Sequence, residues 1–154
     1  MNALVFGGTG QIGYELLLFL RPLGYSIINA SRSETSSHED SNVYIDLSKS
    51  SISDVISLCH LCKPAVIIYL AAIHGSSVCH LMTESFASSI MKHVNYFIPL
   101  ALLDYCSSHS CKFVHASSSY VYSPISNAIR FVDESTFPSP VNQYGSFKAQ
   151  VQES

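Results

Sequence analysis

At 154 residues, the chain is long enough to bury one core and too short for two ordinary domains. Only 12% of its residues are charged and the net charge is -3, which gives no electrostatic basis for gripping nucleic acid or an anionic membrane surface. No run approaches the roughly 18 unbroken apolar residues of a membrane span, and the first apolar run lacks a basic leader, so a cytoplasmic protein is expected.

Leu4 to Phe6 reads as a short buried strand, followed by GGTGQIG at 7 to 13 and a helix from Ile12 to Leu20 that ends at RPLG. Tyr25 to Ala30 is a second strand and Ser31 to Ser41 a polar, turn-like stretch. Val43 to Ile45 makes a third strand that stops at Asp46. Residues 51 to 62 form a helix ended by Lys63-Pro64. AVIIYLAA at 65 to 72 is continuously apolar, as a strand covered on both faces should be. A long helical pattern runs from Thr83 to Ser107, with Phe86, Ile90, Val94, Phe97, Ala101 and Tyr105 near one face. Phe113 to Ala116 is a fifth strand, then comes a loop rich in serine with prolines at 124, 138 and 140, and a last helix begins near Asn142. Strands alternating with helices predict an α/β fold, a Rossmann-like doubly wound parallel sheet of about five strands.

The five cysteines are an odd number without a signal peptide, which favours reduced thiols over a disulfide framework. Cys59 and Cys62 form a CxxC around His60, and Cys106, His109 and Cys111 cluster later. A zinc or redox site is the alternative. Small half-buried thiols are favoured, with no metal, because no second CxxC completes four ligands.

A strand that passes through Gly-x-x-Gly-x-x-Gly into a helix is a dinucleotide-binding turn. Gly7 permits the tight turn, Gly10 lets the backbone approach a pyrophosphate, and Gly13 allows helix and strand to pack closely. The helix start at Gln11 and Ile12 offers N–H groups and positive dipole to the phosphates. An NAD site places Asp or Glu about 20 residues further on, for the ribose 2′-hydroxyl. Here IINASRS puts Asn29, Ser31 and Arg32 there, with no carboxylate before Glu34. Arg32 pairing with a 2′-phosphate, and Ser31 hydrogen-bonding it, would favour NADP over NAD; the alternative for Arg32 is an ordinary solvated arginine.

Tyr144 and Lys148 stand at i and i+4 on the last helix and so share a face. A nearby ammonium lowers a phenol's pKa toward working pH, and the serines at 117 to 119, just after the fifth strand, offer a hydroxyl partner. Pro99 cannot give an N–H to the Asn95 carbonyl, so that carbonyl is left free and the helix is expected to kink. His74, His80, His93 and His115 have no carboxylate or cysteine geometry around them and are read as structural or exposed.

With GGTGQIG at 7 to 13, IDL at 45 to 47, YLAA at 69 to 72, HVN at 93 to 95, SSSYVY at 117 to 122 and YGSFK at 144 to 148 in order, the chain resembles the N-terminal part of an extended short-chain dehydrogenase/reductase. This is the NAD(P)-dependent epimerase/dehydratase family, which works mainly on nucleotide sugars. The resemblance implies Tyr144 as general acid/base, Lys148 as the group that lowers its pKa and holds the nicotinamide ribose, and Ser118 as the hydroxyl orienting substrate. Ser117 and Ser119 are its near alternatives. It further implies that Asp46 and Leu47 contact adenine, that Ala71 and Ala72 lie against the cofactor ribose, and that Asn95 holds a water of the proton relay. Packing in the sheet accounts equally well for the alanines, and a purely structural kink for Asn95.

Family members continue for about as many residues again, so residues 1–154 are expected to be a C-terminally truncated NAD(P)-binding domain without the part that grips a nucleotide sugar. An uncovered sheet edge after strand five would then favour association, and the resemblance points to a homodimer through the helices near 83–107 and 142–154. Two functions follow: epimerisation, dehydration or reduction of a nucleotide-linked sugar, or a non-catalytic NADP-binding regulatory or interaction module.

Overall fold

The computed structural model describes residues 1–33, 41–74, 84–122 and 132–154. Expectations on Glu34, His80, Thr83 and Pro124 lie outside these residues. Five strands, β1 (Asn2–Phe6), β2 (Ser26–Ser31), β3 (Ser41–Tyr44), β4 (Val66–Tyr69) and β5 (Lys112–His115), form one parallel sheet in the order β3-β2-β1-β4-β5. The central strand reads as it should: Ala3 to Phe6 are fully buried, because helices cover both faces.

On one face, Leu17 and Leu20 of α1 (Gln11–Leu20) pack on Val5, Ile27 and Ile68. On the other, α2 (Ile52–Cys62) and α4 (Ile98–Ser108) bury Val55, Leu58, Leu102 and Tyr105 against Leu4, Phe6, Ile67 and Tyr69. Helix α2 begins in a reciprocal cap: the Asp54 N–H donates to Ser51 Oγ at 3.1 Å, and the Ser51 N–H donates to the Asp54 carboxylate at 2.8 Å. Its end brings Cys59 and Cys62 beside the end of α4, where the His60 ring lies 5.1 Å from Tyr105 and 5.3 Å from His109. No helix among the described residues is long and apolar enough to cross a membrane.

Two elements differ from expectation. Strand β4 stops at Tyr69 rather than 72, because the Leu70 and Ala71 N–H groups both turn onto the Phe6 carbonyl, at 2.9 and 3.1 Å. The long helix is split into α3 (Glu84–Lys92) and α4 by a π-turn at His93–Phe97, in which the Ile98 N–H reaches back five residues to the His93 carbonyl. This frees the Val94 carbonyl, and the buried Tyr69 hydroxyl donates to it at 2.7 Å. The helix therefore answers Pro99 by widening, and the widening turns Asn95 fully inward.

Candidate functional site

All the strands are parallel, so their carboxyl ends share one edge of the sheet. Their order reverses direction between β1 and β4, where a crevice opens. The chain leaves β1 through Gly7, whose φ of +88° a side chain would resist and whose N–H donates to the Ala30 carbonyl at 3.2 Å. Gly13 lies in the first turn of α1 directly under this loop; a Cβ there would run into the Gly7 carbonyl and come within 2.6 Å of the Gly8 Cα. Gly10, the N-cap, has no side chain to occupy the first-turn N–H groups of α1.

A cleft of about 390 Å³ follows from this arrangement. Gly7 and Gly10 line it from the turn, Ser31 and Arg32 from the end of β2, Asp46 and Leu47 from beyond β3, and Ala71 and Ala72 from beyond β4. Gln11 and Ile12 are exposed on the first turn of α1, beside the lining rather than in it. Ser31 is held in place by Asn29, whose Nδ2 donates to its Oγ at 3.0 Å, while Arg32 projects into solvent at the rim. The Asp46 carboxylate sits below the usual carboxylate range, chiefly because the Ser48 hydroxyl donates to it at 2.6 Å. Asn95 stands behind the cleft wall: it is fully buried, and both ends of its amide bond the backbone of Ile73, itself a lining residue.

The second group lies at the end of β5. Ser118 caps a 3-10 turn at Ser119–Val121, accepting the Tyr120 N–H at 3.3 Å. Helix α5 (Gln143–Gln152) is capped by Asn142, whose side chain accepts the Gly145 N–H at 2.8 Å. Gly145 lets the helix approach this turn, since a Cβ there would collide with the Tyr120 carbonyl. The close approach brings Tyr144 beside the Ser118 hydroxyl. The half-buried Tyr144 ring has His74 edge-on at 5.1 Å and Tyr120 edge-on at 6.0 Å.

Lys148 shares the Tyr144 face of α5, but its nitrogen turns inward. Only 1% of the residue is exposed; Nζ donates to the Ala116 carbonyl at 2.8 Å and meets His115 Nε2 at 3.1 Å, 5.9 Å from the Tyr144 ring centre. Burial holds the Tyr144 phenol above its usual value, and the neighbouring Ser118 hydroxyl only partly offsets this. Burial also lowers Lys148 to about 8.

Sequence reasoning missed Gly145 and Ile73, and read His115 as structural or exposed. A glycine inside a helical motif, and a polar ring closing the fifth strand at its carboxyl end, are the signals for Gly145 and His115. His74, read as structural or exposed, touches the Tyr144 ring. Cys59, Cys62, Cys106 and Cys111 are free thiols, and no group of three or more His, Cys, Asp or Glu among the described residues is arranged to hold a metal ion.

Solved structures share this fold. A metagenome-derived monomeric L-threonine 3-dehydrogenase in its apo form superposes with a TM-score of 0.78 at 22% identity, covering 98% of this chain and 47% of its own. A UDP-glucose 4-epimerase from Thermus thermophilus in complex with NAD gives 0.77 at 23% identity, covering 99% and 49%. A dTDP-glucose 4,6-dehydratase from Bacillus anthracis in complex with NAD gives 0.75 at 21% identity, covering 99% and 48%. The chain thus spans about half the length of the structures it matches. No curated protein matches it in sequence. The model of the NAD dependent epimerase/dehydratase family matches residues 3–154, almost the whole chain, and the chain belongs to that family.

Proposed function

We propose that this chain is the dinucleotide-binding domain, with the acid/base group, of an enzyme that acts on a nucleotide-linked sugar, and that it takes NADP in preference to NAD. The observation that carries the reading is the Ser118–Tyr144 hydroxyl pair, backed by buried Lys148 on the same sheet edge as the glycine-lined cleft. Family membership and the two NAD complexes among the structural relatives support the dinucleotide-binding part of it, and the end of β2 alone supports the preference for NADP. In this reading a separate domain grips the sugar, and two copies pair through α3, α4 and α5; Phe86 of α3 and Phe97 of the π-turn that joins α3 to α4 are exposed.

The cleft suits a dinucleotide because a glycine turn and uncapped N–H groups meet there, an anion site needing no charged side chain. Gly10 and the first turn of α1, with Gln11, Ile12 and Gly13, would hold the pyrophosphate. Asp46 and Leu47 would flank the adenine, and Ala71 and Ala72 the ribose, with Asn95 fixing that wall through Ile73. Arg32 and Ser31 would take a 2′-phosphate, and the described end of β2 carries no carboxylate to repel one. When bound, the nicotinamide supplies hydride transfer to or from a sugar carbon. Tyr144 gives a proton to the sugar oxygen or takes one from it, Ser118 orients that oxygen, and Lys148 offers its donors to the nicotinamide ribose. The raised phenol suits proton donation as it stands; acting as a base requires the ammonium to move nearer.

Titration with NADPH and NADH, followed by nicotinamide fluorescence, tests this reading. Tighter NADPH binding that Arg32→Ala removes is the expected result, and no binding of either overturns it. A second reading, a non-catalytic NADP-binding module, draws on the withdrawn Lys148 nitrogen. Adding UDP- and dTDP-linked sugars to the NADP complex separates the two: absorbance from reduced nicotinamide that Tyr144→Phe abolishes supports the enzyme.

A further inference from the structure

We propose that His115 is a positioning residue for Lys148: its unprotonated Nε2 accepts from the buried lysine nitrogen and keeps it charged and stationed at the end of β5, within reach of Tyr144. The inference rests on the reading that Lys148 works with Tyr144, and it deepens that reading.

A lysine nitrogen buried to this degree needs acceptors for its protons. The Ala116 carbonyl at 2.8 Å is one and His115 Nε2 at 3.1 Å is another; no carboxylate among the described residues offsets the burial. An ammonium has only donors, so Nε2 must be the bare ring nitrogen and Nδ1 must carry the proton. The ring itself is fixed by aromatic neighbours, Tyr69 and Phe113, each with its centre 6.1 Å away and Phe113 nearly parallel. Phenylalanine would pack there equally well. What the imidazole adds toward Lys148 is its acceptor.

Charge is apportioned in one direction. Burial and the neighbouring ammonium hold His115 down to about 4, so it remains an acceptor at neutral pH while Lys148 carries the charge. The titratable rings set directly against this pair are phenols, Tyr69 from β4 beside His115 and Tyr144 from α5 beside Lys148, with His74 one ring further out against Tyr144. Burial raises both phenols, so neither brings a competing charge near pH 7.

The test is a pH titration of the 154-residue chain labelled with ¹³C at lysine Cε, the Lys148 signal being identified by its loss in Lys148→Met. Lys148 should titrate near 8 in the wild-type chain. In His115→Phe, which keeps the aromatic packing, the midpoint should fall by about one pH unit or more, because a hydrogen bond to a charged group is lost. His115→Gln, whose amide oxygen accepts, should return it toward the wild-type value. An unchanged midpoint in His115→Phe overturns the proposal. Should that variant not fold, ¹⁵N-histidine spectra of the wild-type chain decide: His115 neutral with a bare Nε2 at pH 6.5 supports it, and a protonated ring there overturns it. Both readouts need no dinucleotide, so a titration that behaves as expected beside absent binding of both NADPH and NADH would sink the proposed function and leave the His115–Lys148 pairing standing.

Discussion

Asn95 and Ile73 exchange two hydrogen bonds: the Asn95 side chain accepts the Ile73 N–H at 3.1 Å and donates to the Ile73 carbonyl at 2.7 Å. A side chain thus replaces a neighbouring strand just where β4 has left the sheet. Asn95→Leu keeps the bulk and loses both bonds, leaving two backbone groups unpaired at a cost of about 2–4 kcal/mol. For a domain of this size that is a fall in Tm of roughly 10 °C, measurable by thermal unfolding. An unchanged Tm would show that the segment after β4 is held by something else.

What the sequence discloses and what it hides divide along a physical line. β1, its glycine turn and the capped start of α2 follow from neighbours within a few residues, so their pattern is written locally. Pro99 likewise announces a missing N–H. Whether the helix kinks or widens depends on a partner for the carbonyl that widening frees, that of Val94, and that partner is the Tyr69 hydroxyl, 25 residues away in sequence. The i, i+4 spacing puts Lys148 on the Tyr144 face, but the acceptor its nitrogen chooses, His115, stands on β5, 33 residues away. No periodicity in α5 encodes that choice.

Gly145→Ala should destabilise the chain although alanine is the better helix former. The propensity gain is about 1 kcal/mol. Against it, the new Cβ would meet the Tyr120 carbonyl oxygen, with its carbon at 2.8 Å and Pro140 Cβ at 3.1 Å, and backbone cannot yield as a side chain does. Overpacking of this kind costs about 1–3 kcal/mol. The expected outcome is a net loss in urea unfolding, together with weaker NADPH binding as α5 draws Tyr144 away from Ser118. A more stable variant would mean that the turn at 119–121 shifts freely.

Stability should fall as pH drops from 6.5 toward 4. The folded state holds His115 at about 4 against an ordinary 6.5, so within that window the unfolded chain binds the extra proton. Lys148, at about 8 against 10.5, makes stability begin to rise above pH 8, because there too the unfolded chain binds more protons. Above pH 9 the sign reverses. Burial raises Cys59 to about 12 and also raises Cys62, Cys106 and Tyr69, so the unfolded chain gives up those protons first, and several groups outweigh one lysine. Urea midpoints across this range should peak between about 8 and 9, and His115→Phe should flatten the decline below 6.5. A His115→Phe curve that parallels the wild type would remove His115 as its cause.

Lys148→Met should stabilise the chain at neutral pH while weakening its hold on the dinucleotide. Lowering the lysine from 10.5 to about 8 corresponds to about 3 kcal/mol against burying its charge. Methionine fills similar volume without that charge, but it leaves the Ala116 carbonyl and His115 Nε2 without a donor, at about 1 kcal/mol each. The balance is a gain of about 1 kcal/mol, a rise in Tm of about 3 °C. Because the neutral amine escapes most of the penalty, the gain should shrink as pH passes 8, and that dependence separates lost charge from better packing. Thermal unfolding of both chains on either side of pH 8, beside NADPH titrations, makes the measurement. Lower stability of Lys148→Met at neutral pH would mean that the two hydrogen bonds outweigh the burial of charge, whereas greater stability with weaker binding would mark Lys148 as a residue kept for function at the expense of the fold.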